Sequence, residues 1–313
     1  MYMKCTFCGK QAVYLRPYDK LALCIYHFNE QMRKRVQKTI TKNKMFGRRD
    51  KIALGISGGK DSIALLDILH KIESDFPESE IVAITIDEGI ENYREEGLLY
   101  AKKHVKRLGL EHHIYSFEKD FGYGLDDIIK ILGDRGKERE FGACTYCGIL
   151  RRKILNYAAK EIGADVLVTA HNLEDEVETI LLNIIRGDIQ RLTRLNPRPR
   201  KIHESLVPRV KPFRSTPQTE IVMYCVINDL KYQEVQCPYA VEAYRGEVRE
   251  FIFKTQEKQP MLSFNILRGQ DKFLSLIEGT KTKEKLKECE KCGEATAGEI
   301  CKSCWLKEQL DSR

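Results

Sequence analysis

The chain has 313 residues, a formal net charge of +7 and a hydrophobic fraction of 42%. That length holds one α/β catalytic domain of roughly 150–200 residues with small appendages, and the composition is that of a soluble globular protein. No run approaches the roughly 20 apolar residues of a membrane span, and the basic N-terminus lacks the apolar stretch of a signal peptide, so the expectation is a cytoplasmic chain with no membrane contact. Charge is unevenly spread. Residues 1–49 carry twelve Lys/Arg against Asp19 and Glu30, and the segment from Arg186 to Arg214 carries nine against Asp188 and Glu204. Such blocks point to a polyanionic partner; the competing reading is a solvated lysine-rich face.

In chain order the first feature is Cys5-x2-Cys8, fifteen residues, then Cys24-x2-His27. These four ligands have the spacing of a tetrahedral zinc site, and in a large chain without an export signal grouped cysteines mean metal rather than disulfides. The expected divisions are an N-terminal zinc finger over residues 1–30, a basic helical linker over 31–50, a catalytic domain over 51–280 and a C-terminal zinc ribbon over 281–313. Within the catalytic part, Lys51–Ser57, Ile81–Asp87, His113–Phe117 and Asp165–Ala170 read as strands. Asp61–Glu73, Glu91–Leu108, Ile149–Lys160 and Glu174–Arg186 read as helices. Alternating strands and helices predict a parallel sheet covered on both faces. Pro197, Pro199, Pro208 and Pro212 mark an extended loop, after which helices are expected over Thr219–Leu230 and Ala243–Lys258. The chain closes with Cys289-x2-Cys292, eight residues, then Cys301-x2-Cys304, a second structural zinc pattern in which Trp305 is expected to pack.

The first strand runs into Ser57-Gly58-Gly59-Lys60-Asp61-Ser62 and a helix follows. Two glycines let backbone N–H groups converge on an anion, the helix N-terminus adds its positive end, Lys60 neutralises phosphate, and the Ser57 and Ser62 hydroxyls donate. The spacing is not that of a Walker loop. The motif resembles the PP-loop of the ATP pyrophosphatase superfamily, over roughly Lys51–Ile189, and Thr169-Ala170-His171-Asn172-Leu173-Glu174-Asp175 resembles that family's second motif. The resemblance implies an α/β PP-loop fold of the adenine nucleotide alpha hydrolase type. It also implies cleavage of ATP between the α and β phosphates with transfer of AMP to an oxygen, a nucleotide site that includes Thr169 and Ala170, and a role for Asp175 at Mg²⁺ or in adenylation. Asp87 has two readings, a group near the nucleoside or a helix N-cap beside Glu88.

Cys144-x2-Cys147 alone could be half of a zinc site, a redox dithiol or chance, and Cys237 stands apart before Pro238. A PP-loop followed by this pair and a distant Cys-Pro is similar to the archaeal and eukaryotic tRNA 2-thiouridine synthetases, which also carry zinc modules at both ends. That resemblance covers nearly the whole chain. It implies a 4Fe-4S cluster on Cys144, Cys147 and Cys237, tRNA as substrate and sulfide or a ubiquitin-like thiocarboxylate carrier as sulfur donor. It further implies a homodimer, and thiolation of the wobble uridine in preference to the T-loop uridine. A persulfide on one cysteine, with no cluster, is the competing chemistry. Lysidine formers need no cysteines and thiocytidine enzymes lack the paired zinc modules; a small-molecule PP-loop ligase has no use for those modules; and intact Lys60, Asp61 and Asp175 oppose a non-catalytic RNA-binding protein. Arg245 and Arg249 would share a helix face, as tRNA or phosphate contacts or as plain surface charge. Arg186-Gly187-Asp188 would touch phosphate or cap a helix; His112 and His113 read as strand or surface residues, and Cys225 as a core thiol.

Overall fold

A computed structural model describes residues 3–133, 140–198, 201–242, 245–277 and 286–312. At the N-terminus β1 (Tyr14–Leu15) and β2 (Ala22–Leu23) form an antiparallel hairpin, and α1 (Ile25–Asn43) starts directly after Cys24. Phe28, Met32, Val36 and Ile40 recur every four residues and are buried, so one stripe of α1 belongs to the main core. The helix therefore runs without interruption from the finger to Asn43, covering residues 31–43 of the segment read as a linker, and 44–50 are not helical. Glu220, fully buried, receives Arg35 at 2.8 Å and the Tyr18 hydroxyl at 2.5 Å, with Arg16 at 3.5 Å. Two of the N-terminal arginines are thus spent on an internal carboxylate rather than on an outside partner.

Next in order come β3 (Lys51–Gly55), α2 (Lys60–Glu73), β4 (Glu80–Asp87), α3 (Arg94–Arg107) and β5 (Glu111–Ser116). The short α4 (Phe117–Phe121) and α5 (Leu125–Leu132) follow, then the long α6 (Ala143–Glu161), β6 (Val166–Val168) and α7 (Leu173–Ile185). After α8 (Ile189–Thr193), β7 (Arg209–Val210) completes a five-stranded, all-parallel sheet in the order β5-β4-β3-β6-β7. Its alternating side chains serve two cores. Ile52, Leu54, Val166 and Val168 face α1 and α2, while Ala53, Ile84, Ile86 and Leu167 face α6.

β7 lies in the proline-rich stretch read as a loop. It is a two-residue edge strand led in by Pro208, whose carbonyl accepts the Leu167 N–H at 2.8 Å and whose missing donor costs nothing at an edge. α9 (Gln218–Ile227), α10 (Arg245–Lys258) and α11 (Leu262–Leu276) follow, with α10 and α11 packed on α7 around Val177, Val248, Ile252 and Leu267. Ala243, where the α10 helix was expected to start, lies outside the described residues. β8 (Lys287–Glu288) and β9 (Ala295–Thr296) form a hairpin, and α12 (Lys302–Asp311) docks on α5 and α6 through Leu306 and Leu310. No described helix is long and apolar enough to cross a membrane.

Candidate active site and cysteine centres

The carboxyl end of β3 opens into the glycine loop. Gly59 is the N-cap of α2 and offers no side-chain acceptor, so the first N–H groups of the helix stay available to a ligand. The loop is braced from within: the Ser62 hydroxyl lies 3.1 Å from that of Ser57, accepts the Ser57 N–H at 3.2 Å and donates to the Gly59 carbonyl at 2.9 Å. It is also braced from outside. Arg94, buried on α3, donates to the Ser57 carbonyl at 2.7 Å and to the Ile86 carbonyl at 2.7 Å, and the Gln233 N–H donates to the Gly58 carbonyl at 2.9 Å. Lys60 Nζ stands 2.7 Å from Asp61, whose other oxygen receives the Asn172 amide at 3.0 Å. The first motif is thereby tied to the second.

Asn172 caps α7 in a reciprocal box with Asp175, each side chain accepting the other's backbone N–H at 3.0 Å. Thr169 and Ala170 lie past the end of β6, beside the loop. Burial raises the Asp175 carboxyl to about 6, Asp61 and Glu178 add to the rise, and the Asn172 N–H and Arg249 oppose it. A folded carboxyl that holds its proton above its unfolded value costs stability as pH rises from about 4 through 6. In metal-free protein Asp175→Asn is therefore expected to raise unfolding stability at pH 8 by about 1–3 kcal/mol, with the gain shrinking toward zero at pH 4. Urea unfolding at both pH values checks this; an equal effect at the two would remove the buried repulsion. Asp87 is no helix cap: its Oδ1 accepts the Gly89 N–H at 3.0 Å in the turn after β4, at the same carboxyl edge.

The middle cysteines lie beside this edge. Cys144 and Cys147 occupy the first turns of α6, which begins at Ala143 rather than after Gly148 as expected. Cys237 comes from the segment ahead of a 3-10 turn at Pro238–Glu242 that packs on α6; the Cys144 thiol is 3.7 Å from the Tyr239 carbonyl. Cys144 is exposed, Cys147 buried and Cys237 half-buried. Burial pushes the Cys147 thiol up, with Glu88 and Cys237 adding and Arg151 opposing; burial, then Cys144 and Glu88, push Cys237 up. Charge coupling ties Cys147 to Cys237 and Cys237 to Cys144, yet, unlike the terminal quartets, the three sulfurs do not all lie within 4.8 Å of one another. A multi-iron group, whose ligands sit at separate corners, suits that wider spacing.

The terminal quartets are different. In each, the four ligand atoms lie within 4.8 Å of one another. Cys8 and Cys24 sulfurs are 3.7 Å apart, as are those of Cys292 and Cys301, and His27 Nδ1 is 3.5 Å from Cys5 and 3.4 Å from Cys24. Tetrahedral Zn–S bonds of about 2.3 Å put sulfurs about 3.8 Å apart, so both sets fit a structural zinc. Burial raises Cys5 and Cys289, but backbone N–H groups outweigh it and bring both thiols down to about 6, while their neighbours Cys8 and Cys304 are pushed up, so each quartet has one thiol that gives up its proton first. The C-terminal module also touches the cysteine helix: Lys153 on α6 lies 3.2 Å from the Cys292 sulfur, and Trp305 packs edge-on against Phe141 at 6.2 Å.

Residues 28–256 match the family model for the PP-loop domain. The chain is 34% identical to the tRNA 2-thiolation protein NcsA of Haloferax volcanii, covering 99% of this chain and 100% of that one. It is likewise 34% identical to the cytoplasmic tRNA 2-thiolation protein 1 of Saccharomyces cerevisiae, over 98% and 86%. The chain belongs to the tRNA 2-thiolation family of PP-loop proteins. Among solved structures, the U34-tRNA thiolase NcsA from Methanococcus maripaludis, determined with its 4Fe-4S cluster, superposes with a TM-score of 0.84 at 32% identity, covering 99% of this chain and 97% of that one.

Set in this family fold, several residues that motif reading passes over join the site. Glu88 is buried between Arg94 at 2.6 Å and Arg151 at 3.6 Å, and Arg151 reaches the Cys147 sulfur at 3.3 Å. A continuous chain of charge therefore links the glycine loop to the cysteine pocket. Arg249 is engaged by Glu178 at 2.7 Å and stands 4.0 Å from Asp175, whereas Arg245, one turn earlier on α10, has no acid beside it among the described residues. Arg186 caps the end of α7 and Asp188 caps α8 by accepting the Arg191 N–H. His112 pairs with the Thr85 hydroxyl inside the sheet, His113 with Glu111 on the same strand, and Cys225 is buried with its sulfur 3.6 Å from the Lys60 carbonyl, under the start of α2. A cavity of about 670 Å³ lined by Lys44, Arg48, Asp50, Glu73 and Phe76 opens at the opposite, amino edge of the sheet, away from the end where such folds bind ligands.

Proposed function

We propose that this chain is an ATP-dependent tRNA sulfurtransferase that adenylates the C2 oxygen of a uridine, the wobble uridine in preference to the T-loop one, and puts sulfur in its place. The observation that carries the reading is the meeting, at one sheet edge, of an uncapped glycine loop and a three-cysteine pocket, joined through Arg94, Glu88 and Arg151. In this reading Ser57, Gly58, Gly59, Lys60, Asp61, Ser62, Asp87, Thr169 and Ala170 hold ATP. The N–H groups at the start of α2 and Lys60 take up negative charge on its phosphates. Asp61 and Asp175, bridged by Asn172, hold Mg²⁺. Adenylation makes the poor leaving oxygen of a carbonyl into AMP.

Cys144, Cys147 and Cys237 hold a 4Fe-4S cluster. Bound by three thiolates, it supplies one iron with a position free for sulfur. Glu88 fixes Arg151, and Arg151 balances charge at Cys147. The terminal quartets hold two structural zinc ions, one in a finger over residues 1–30 that leads into the basic linker of 31–50, the other in a ribbon over 281–313, flanking a catalytic domain over 51–280. The protein works in the cytoplasm as a homodimer and takes its sulfur from sulfide or a ubiquitin-like thiocarboxylate carrier. Lys60→Ala and Asp61→Ala are each expected to cut tRNA-dependent pyrophosphate release by at least 100-fold, on the order of a lost electrostatic contact to the transition state, while sparing iron content. Pyrophosphate release at the wild-type rate in both variants would remove the adenylation step.

A further inference from the structure

One group of cations on the β6–β7 side of the cleft is left unused by the reading above. α6 lies against the chain entering β7, because Asn156 donates to the Ser205 carbonyl at 2.7 Å and accepts the Val207 N–H at 2.9 Å. This brings Arg152, one turn before Asn156, to Arg209 at the head of β7. Arg209 pairs in register with Leu167, and the Thr169 N–H donates to the Val210 carbonyl at 3.1 Å, so the exit of β6 toward His171 runs alongside. Arg245 comes from the other side on α10, which packs on α7 with Arg249 fixed to Glu178 one turn later.

The neighbours are paired: Arg151 with Glu88, Lys211 with Glu176, Arg191 with Asp188. Arg152, Arg209 and Arg245 have no acid within ion-pair distance among the described residues, and the Arg209 Nε is buried with no hydrogen-bond partner. Burial and Arg152 bring the Arg209 guanidinium down to about 10; close packing of neighbouring atoms, then Arg151, Arg191 and Arg245 lower Arg152, and close packing with the cations Lys211, Arg209, Arg151 and Arg245 lowers His171, although both side chains reach solvent. Arg209 is half-buried with an unpartnered Nε, whereas Arg152 and Arg245 are exposed, so a partly desolvated cation with no counterion stands beside two that open to solvent, an arrangement that an anion arriving from outside completes.

We propose that Arg152, Arg209 and Arg245, set between α6, the head of β7 and α10, seat backbone phosphates of the RNA strand that carries the target uridine. The assignment rests on the tRNA reading above. The phosphates of ATP already have a complete seat across the cleft in the glycine loop with Lys60, and guanidinium forks match a phosphodiester. These contacts position RNA and read no sequence.

The test uses the full-length protein and the variants Arg152→Ala, Arg209→Met and the double variant, with a tRNA carrying a wobble uridine as probe across a salt series. Each lost phosphate contact is expected to reduce the slope of log affinity against log salt by roughly 0.7–0.9, with weaker binding at every salt, and to leave ATP binding unchanged. Arg209→Met is expected to keep or raise the RNA-free melting temperature, since an unpaired, half-buried charge leaves; a structural arginine would lower it. Unchanged salt slopes in variants of a tRNA-binding wild type overturn this seat and leave the tRNA reading intact. Equal loss of tRNA and ATP affinity assigns the arginines to the nucleotide and overturns it too. A wild type that binds ATP but no tRNA sinks the reading beneath it.

Discussion

Alanine at position 58 is expected to abolish ATP-dependent pyrophosphate release and to lower folding stability by about 2–4 kcal/mol. Gly58 has φ +86, and a Cβ there would stand 2.6 Å from the Gly97 carbonyl carbon and Cα and closer still to its oxygen. These are backbone atoms of α3, with no rotamer to swing aside. Gly97 is constrained in return: its own Cβ would meet the Ser57 carbonyl oxygen at 2.9 Å and the Arg94 guanidinium at 2.6 Å. The two glycines stand face to face, and that close approach lets Arg94 reach the loop from α3. Relief of the clash must therefore move either the loop or α3, and both movements misdirect the N–H groups at the start of α2. Gly59→Ala is the matched control. Its φ is −78 and its nearest neighbour would be the Ser57 hydroxyl at 3.5 Å, so stability is expected to stay within about 1 kcal/mol of wild type. Denaturant unfolding with a pyrophosphate assay separates the two; a Gly58→Ala protein as stable as Gly59→Ala would mean that the Gly58–Gly97 approach does not set the loop.

What the sequence made legible was local. The glycine loop, the second motif and both terminal quartets announce themselves because ligand spacing, turn chemistry and strand-to-helix order are written over a few adjacent residues. β3, β4 and β6 were legible because central parallel strands are continuous apolar runs, whereas β5 (EHHIYS) lies at the sheet edge and starts two residues before the expected His113. β7 was not: two residues behind a proline carry no periodicity, and only the pairing of Leu167 with Arg209 makes them a strand. The start of α6 was missed because a C-x2-C was taken as preceding a helix, whereas Gly142 caps it and both cysteines lie within its first turns. Glu88, Arg94 and Arg151 could not be found by inspection. Each is an ordinary charged residue in its own segment, and their connection crosses the sheet from α3 to α6. The same holds for Arg152 and Arg209, whose lack of an acid partner among the described residues is a property of the fold. A guanidinium left without an acid by the packing of distant segments has no signature in a string of residues.

Replacing Cys144, Cys147 and Cys237 together by alanine is expected to remove essentially all iron, about four atoms per chain in anaerobically prepared wild type, while leaving about two zinc ions in place. Thiolation of tRNA is expected to fall below detection and pyrophosphate release to persist. The separation follows from geometry, since the terminal quartets each bring four ligand atoms within 4.8 Å of one another and share no residue with the middle cysteines. The acid–base state of the pocket adds a second, independent sign. Burial holds Cys147 and Cys237 above the usual thiol value, so the apo protein keeps both protonated at neutral pH, and iron must displace those protons on binding. Reconstitution is therefore expected to strengthen as pH rises and iron to be lost first as pH falls. Zinc in the terminal quartets should withstand the same fall further, because each quartet offers four ligand atoms within 4.8 Å of one another. Iron and zinc measured on the same samples across a pH series give both results at once. If careful anaerobic reconstitution yields zinc alone, the cluster is lost as an explanation and the three cysteines return to persulfide chemistry. The argument from Ser57 through Ser62 to Asp175 stands in that case, because the phosphate seat is built from backbone and side chains that none of the three thiols touches.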